Sequence, residues 1–233
     1  NDVVFSEVYF EPSSLSPLPN SEYIEIYNRK DSSILLLGWE ISDGSSDGLI
    51  PSFRLGPHEY IVLFAENDSA EFLSIPNALA VHPFPTLNND VGDRLRLSDE
   101  TGKLIEELKY NDDYYHDTHK NDGGWSLERI DTGFTCKNEN NWKASVSNMH
   151  GTPGSVNSVN GNFSDHSSPF ALNAFLTDSN RLTIIFSEPV SDGAEDVNNY
   201  LITRNDGNVI IPSSVVVSSG DTIELQTTLP FSK

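Results

Sequence analysis

A single cysteine, Cys136, stands in 233 residues, so no disulfide closes within the chain. Scarcity of cysteine is the rule in reducing compartments, but bacterial surface proteins also avoid it. Phe134, Thr135, Lys137 and Asn138 around Cys136 carry no protease signature, and the residue reads as a small packed thiol. Basic residues are scarce too: 14 Lys and Arg face 35 Asp and Glu, for a net charge of −21. That balance leaves no basic footprint for phosphates and excludes free nucleic acid as a direct partner. No apolar run approaches the ~20 residues of a membrane-spanning helix. No signal peptide is visible; the chain opens on the strand-like Val3-Val4-Phe5, as a mature or trimmed chain would. G-x-S-x-G, P-loop, kinase and Rossmann fingerprints are all missing. A carboxylate dyad of the glycosidase kind survives by residue type alone, but 35 carboxylates make residue type uninformative. Such enzymes also use larger scaffolds, so the chain is read as non-enzymatic.

What is present is alternation. Hydrophobic content is 36%, with 15 Gly and 13 Pro, which suits short strands separated by many turns. In Glu22-Tyr23-Ile24-Glu25-Ile26-Tyr27, Ile24 and Ile26 share one face, and Glu25 lies on the other with Tyr23 and Tyr27. Trp39 and Ile41 alternate with Glu40, Leu95 and Leu97 with Arg94 and Arg96, and Leu127 and Arg129 with Ser126 and Glu128. Tyr60-Ile61-Val62-Leu63-Phe64 is continuously apolar, the pattern of a strand covered on both faces. Ile24, Ile26, Trp39, Ile61, Leu63, Leu95, Leu97 and Leu127 are therefore the expected core. Asp99-Glu100-Thr101-Gly102 predicts a hairpin turn. The one helical stretch predicted is Ser69-Ala70-Glu71-Phe72-Leu73, two turns at most, capped by Asn67 or Asp68.

A Gly/Ser/Asn/Pro-rich stretch follows from Gly151, and residues 158–168 are expected as a linker. It separates a first domain, 1–157, from a second, 169–233. Six strand patterns recur in the second domain, which is short of the ~100 residues and seven strands of a full sandwich. It is expected to be incomplete.

The blocks of the first domain resemble a lamin-tail domain of the kind found in bacterial secreted proteins. They run from Ser6-Glu7-Val8 and Ser21-Glu22-Tyr23-Ile24-Glu25-Ile26-Tyr27-Asn28 through Leu37-Gly38-Trp39 and Leu55-Gly56-Pro57. Gly92-Asp93-Arg94-Leu95, Trp125-Ser126-Leu127-Glu128-Arg129, Asn141-Trp142 and Gly151-Thr152-Pro153-Gly154 follow in order. Leu182-Thr183-Ile184-Ile185-Phe186-Ser187-Glu188-Pro189-Val190, with Asn199-Tyr200, resembles the Ig-like modules of bacterial surface proteins. The resemblance implies an all-β fold: an immunoglobulin-like β-sandwich followed by a second, truncated Ig-like β domain. It implies no catalytic mechanism. It points to a secreted or cell-surface accessory module for adhesion, anchoring or positioning, with a protein or glycan partner.

The loop from Asn111 to Gly124 concentrates the chemistry. His116 and His119 lack further zinc ligands of the usual kind. Asp112, Asp113, Asp117 and Asp122 are oxygen ligands suited to Ca²⁺, without EF-hand spacing. Tyr114 and Tyr115, with Trp125, are surfaces on which sugar rings stack, which makes a calcium-dependent carbohydrate-binding module of an exported hydrolase the alternative function. A solvated loop is the plain alternative for the same residues. Asp43 with Asp47, and Asn88, Asn89, Asp90 with Asp93, read equally as ligands or as Asx-turns.

Overall fold

A computed structural model describes residues 2–89, 92–134, 139–164, 168–188, 190, 192–203, 207–219, 221–228 and 230. Cys136 and Asp90 lie outside the described residues. Two compact units divide between Ser164 and Asp165.

The first unit contains β1 (Val3–Tyr9), β2 (Tyr23–Asn28), β3 (Ile34–Leu35), β4 (Glu40–Ser42), β5 (Asp47–Leu49) and β6 (Arg54–Leu55). It continues with β7 (Tyr60–Ala65), β8 (Ala78–Val81), β9 (Asp93–Ser98), β10 (Leu104–Tyr110), β11 (Leu127–Arg129) and β12 (Trp142–Ala144). A six-stranded sheet runs β12-β11-β1-β2-β7-β8, a four-stranded sheet runs β10-β9-β4-β5, and β3 pairs with β6. Pairing is antiparallel except between β7 and β8. The fold is the all-β immunoglobulin-like sandwich expected.

The core joins Phe5, Val8, Ile24, Ile26, Ile61, Leu63 and Leu127 of the large sheet to Ile41, Leu95, Leu97 and Leu108 of the small one, with Trp39 just before β4.

 All eight residues expected in the core are buried there, Leu95 and Leu97 of β9 included. Removing each such side chain from water stabilises the fold by roughly 1.5–3 kcal/mol. A bulge between Phe5 and Glu7 shifts the alternation of β1 by one residue. Phe5 and Val8 therefore both reach the core, and Glu7 turns to the opposite face.

That opposite face is covered too. Tyr9, Leu18, Tyr23, Val62, Phe64 and Phe72 form a second apolar cluster on it, with Phe64 and Phe72 stacked at 4.1 Å. Phe72 arrives on the crossover between the parallel strands β7 and β8, where the helix expected over residues 69–73 is not formed. A short 3-10 helix, Glu66–Asp68, stands instead, followed by turns. The Ser69 hydroxyl donates to the Glu66 carbonyl at 2.6 Å, and such a local bond competes with helix propagation. The hairpin turn predicted at Asp99 is present: Asp99 Oδ1 accepts from the amides of Thr101 and Lys103 at 2.9 and 3.1 Å.

Residues expected as linker from 158 onward begin on the first unit. Ser158 Oγ donates to Glu128 Oε2 at 2.7 Å, Gly161 N to the Ile130 carbonyl at 2.9 Å and Phe163 N to Asp131 Oδ2 at 3.0 Å. Polar side chains of the first unit thus hold a stretch that has few apolar contacts of its own.

The second unit contains β13 (Ala171–Asp178), β14 (Arg181–Phe186), β15 (Ile202–Thr203), β16 (Val209–Ile210), β17 (Ser214–Ser219) and β18 (Thr222–Gln226). Its sheet runs β13-β14-β18-β17, and β15 pairs with β16. Val215, Ile223 and Leu225 are its buried apolar centre. β13 is exposed along its whole length.

Candidate functional site

The loop singled out by its composition is organised by its own backbone. Asn111 Oδ1 accepts from Asp113 N at 3.2 Å and starts a short 3-10 helix, Asp112–Tyr115. His116 ends it with φ of 50°. Asp117 Oδ1 accepts from His119 N at 3.0 Å, an Asx-turn. Asp113 and Asp122 are exposed. Among the described residues, no group of three or more His, Cys, Asp or Glu is placed to hold a metal ion. The four aspartates expected as a calcium cage, Asp112, Asp113, Asp117 and Asp122, are thus not drawn together into such a group; Asp117 serves its local turn, and Asp113 and Asp122 face solvent.

The two tyrosines divide. Tyr115 is fully buried, donates to the Trp125 carbonyl at 2.8 Å and packs on Phe10. It anchors the loop and offers no surface to a ligand, which corrects its expected role. Tyr114 is half-buried at the surface, where burial pushes its phenol up with help from Glu139. Trp125 is occupied: His150 stacks on it at 3.8 Å and Lys120 Nζ lies 4.1 Å from its ring centre. Lys120 also donates to the Ser145 carbonyl at 2.5 Å.

Beside Tyr114 lies a depression of about 520 Å³, lined by Gly92, Asp93, Arg94, Lys109, Tyr110, Asn111, Tyr114 and Glu139. β9 and β10 set its floor. Arg94 and Lys109 are direct cross-strand partners, a like-charge pairing that ordinarily destabilises a sheet. Glu107 offsets part of it, 3.7 Å from Arg94 and 3.1 Å from Arg96. Gly92 has φ of 72°, and a β-carbon there would run into the Tyr110 carbonyl, so only glycine permits this approach. Asp43 Oδ1, in another candidate cluster, accepts from the amides of Ser45 and Ser46 at 2.6 and 2.7 Å, and Asp93 Oδ2 accepts from Asn88 Nδ2 at 3.0 Å. Both are turn-forming in this arrangement.

The densest polar cluster was not anticipated. Glu7 of β1, Glu25 of β2 and Glu128 of β11 are each fully buried, and Glu7 is in direct register with both others. Residues 151–159 lie over them. Thr152 N donates to Glu7 Oε1 at 3.0 Å, Gly154 N to Glu25 Oε2 at 2.6 Å and Val159 N to Glu128 Oε2 at 3.1 Å. Tyr23 donates to Glu7 Oε1 at 2.5 Å and Ser6 to Glu25 Oε1 at 2.6 Å. Burial, then the neighbouring Glu128, raises Glu7 to about 7. Burial and Glu7 push Glu25 well above the ordinary carboxylate range. Asn157 Nδ2 bonds the carbonyls of Ser6 and Arg129, each at 2.8 Å.

Residues 1–112 match the family model of the Lamin Tail Domain. The lamin tail domain is a non-catalytic, immunoglobulin-like family. No curated protein matches the chain. The matched segment contains Glu7, Glu25 and the β9–β10 floor of the depression. Glu128 and the covering residues 151–159 lie beyond the matched segment, within the same compact unit. The sequence pattern placed Glu25 on a face shared with Tyr23 and Tyr27 and set Glu128 opposite Leu127, without showing that residues 151–159 cover both carboxyls. The available signal was Gly151-Thr152-Pro153-Gly154, a polar turn-forming segment that follows strands with apolar residues on both faces.

Proposed function

We propose that this chain is a non-catalytic interaction module of a larger secreted or cell-surface bacterial protein, used for adhesion, anchoring or positioning. The observation that carries the reading is the use made of the acidic residues. The buried carboxyls bind backbone amides and hydroxyls of their own fold, and in the acidic loop Asn111 and Asp117 close local turns. The exposed surface is what such a domain offers a partner. The family match to a non-catalytic domain agrees with this.

A second reading is carbohydrate binding in the depression at Tyr114. The half-buried phenol ring, the Asn111 amide and the opposed cations Arg94 and Lys109 line one open concavity. Aromatic stacking with a few convergent polar groups is what a sugar site requires. Both readings are tested with the full chain, wild type and the Lys109→Ala/Tyr114→Ala variant, against arrayed glycans and intact bacterial surfaces. Saturable binding to one glycan class, lost in the variant, supports the second reading. Retention on cell surfaces without glycan binding supports the first. Hydrolysis of an arrayed glycan by the purified chain overturns both.

A further inference from the structure

We propose that residues 151–159 form a strap locked onto the large sheet by protons held at Glu7 and Glu25 where these crowd against Glu128, and that the strap loosens as those protons leave. The geometry of one hydroxyl leads to this. Thr152 Oγ1 lies 3.0 Å from Glu7 Oε2 and 3.0 Å from Glu128 Oε1. A hydroxyl carries one hydrogen, so two full bonds here mean that it donates to one of these oxygens and accepts from the other. A carboxylate has nothing to donate. Both bonds reach full strength together when one of the two carboxyls is protonated; with both ionised the single hydrogen is split between them.

The surroundings favour the same state. Glu7 and Glu128 are cross-strand partners with no exposure to solvent, and Glu25 flanks Glu7 on its other side. Three adjacent negative charges in a dry site repel each other at close range. The groups on the packed elements supply no strong counter-charge. β2 contributes the Tyr23 hydroxyl, and Tyr60 of β7 lies within electrostatic reach of Glu25. From β12, Lys143 is the cross-strand partner of Glu128 but is exposed. From the strap come Ser158 Oγ and the amides of Thr152, Gly154 and Val159. His150, just before the strap, bonds the Gly124 carbonyl through Nδ1 at 2.9 Å and stacks on Trp125. Arg129 faces Glu106 instead.

The sign follows from linkage. The closed strap binds more protons than the open one, whose carboxyls are hydrated and ordinary. The strap is tightest below the open-state range near pH 4.5. It weakens as pH rises toward the closed-state values, which is about 7 for Glu7 and higher for Glu25. Over that window the opening constant rises about tenfold per pH unit for each proton released.

Amide hydrogen exchange of Thr152, Gly154 and Val159 in the full chain, from about pH 5 to pH 8 and corrected for intrinsic exchange, reads this constant. The expected result is a rise of about tenfold or more per pH unit through mild acid, becoming shallower past the Glu7 value near 7 while Glu25 keeps its proton. Glu128→Gln supplies an amide donor and removes a charge, so it should lower the slope. In the wild type, the infrared carbonyl band of a protonated carboxylic acid should persist near neutral pH and bleach over the same range as the strap opens. An opening constant independent of pH, no such band near neutrality, an unchanged slope in folded Glu128→Gln, or β2 core amides opening in step with the strap would each overturn the proposal.

Discussion

Replacing Arg129 with Met isolates the buried ion pair that Arg129 makes with Glu106 in the first unit. Arg129 Nη1 lies 3.1 Å from Glu106 Oε1 and 3.1 Å from the Phe5 carbonyl, and Nη2 lies 2.8 Å from the Phe134 carbonyl. The two side chains are 3% and 7% exposed. Methionine keeps the length of the stem and removes the guanidinium. The carboxyl of Glu106 then stays in a dry site and loses the guanidinium charge, and two carbonyls lose a donor. Losing one member of such a pair costs about 3–5 kcal/mol. Replacing both members, Arg129→Met with Glu106→Leu, removes the stranded charge and is expected to return most of that loss. Urea unfolding of the full chain followed by tryptophan fluorescence measures it cleanly. Trp39, Trp125 and Trp142 are the three tryptophans of the sequence, and all lie in the first unit, so the second unit is silent. A loss under about 1 kcal/mol in the single variant, or a double variant no more stable than the single, would refute the reasoning.

Two further outcomes are expected. In Gly151→Ala the new β-carbon meets Glu7 Oε1 at 2.7 Å, Ser126 Oγ at 2.8 Å and Leu18 Cδ2 at 2.9 Å; overpacking of this kind costs about 1–3 kcal/mol, and the same fluorescence titration checks it. Millimolar Ca²⁺ should raise the melting temperature no more than NaCl of equal ionic strength, since the loop aspartates do not converge; a calcium-specific rise abolished by Asp113→Asn/Asp117→Asn would show otherwise.

Strand identity and core facing were legible because period-two alternation reports them directly. Ile24 and Ile26, Ile61 and Leu63, and Leu95 and Leu97 each point inward as their spacing required. Alternation says which residues share a face and nothing about what lies over it. Glu25 therefore read as one member of a face with Tyr23 and Tyr27, and the segment that bonds its carboxyl is polar and lies far along the sequence. The bulge in β1 was equally hidden, because Val3, Val4, Phe5 and Val8 are apolar on both phases. The aspartate loop misled for a different reason: residue type gives ligand capacity, and convergence in space depends on turns that Asn111 and Asp117 settle locally. Tyr115 drew attention as an aromatic in a polar loop, and that same aromatic character sent it into the core.

The strap also governs when this domain is finished. β1 sits inside the large sheet between β2 and β11, and the bond from Thr152 to Glu7 joins residues 145 apart. On a ribosome that extends the chain by roughly 5–20 residues per second, β1 emerges first and waits several seconds for its second neighbour and its cover. Until then its carboxyls stay hydrated and one edge of its backbone stays unpaired. Such late closure leaves the large sheet incomplete until the last segment of the unit has been made.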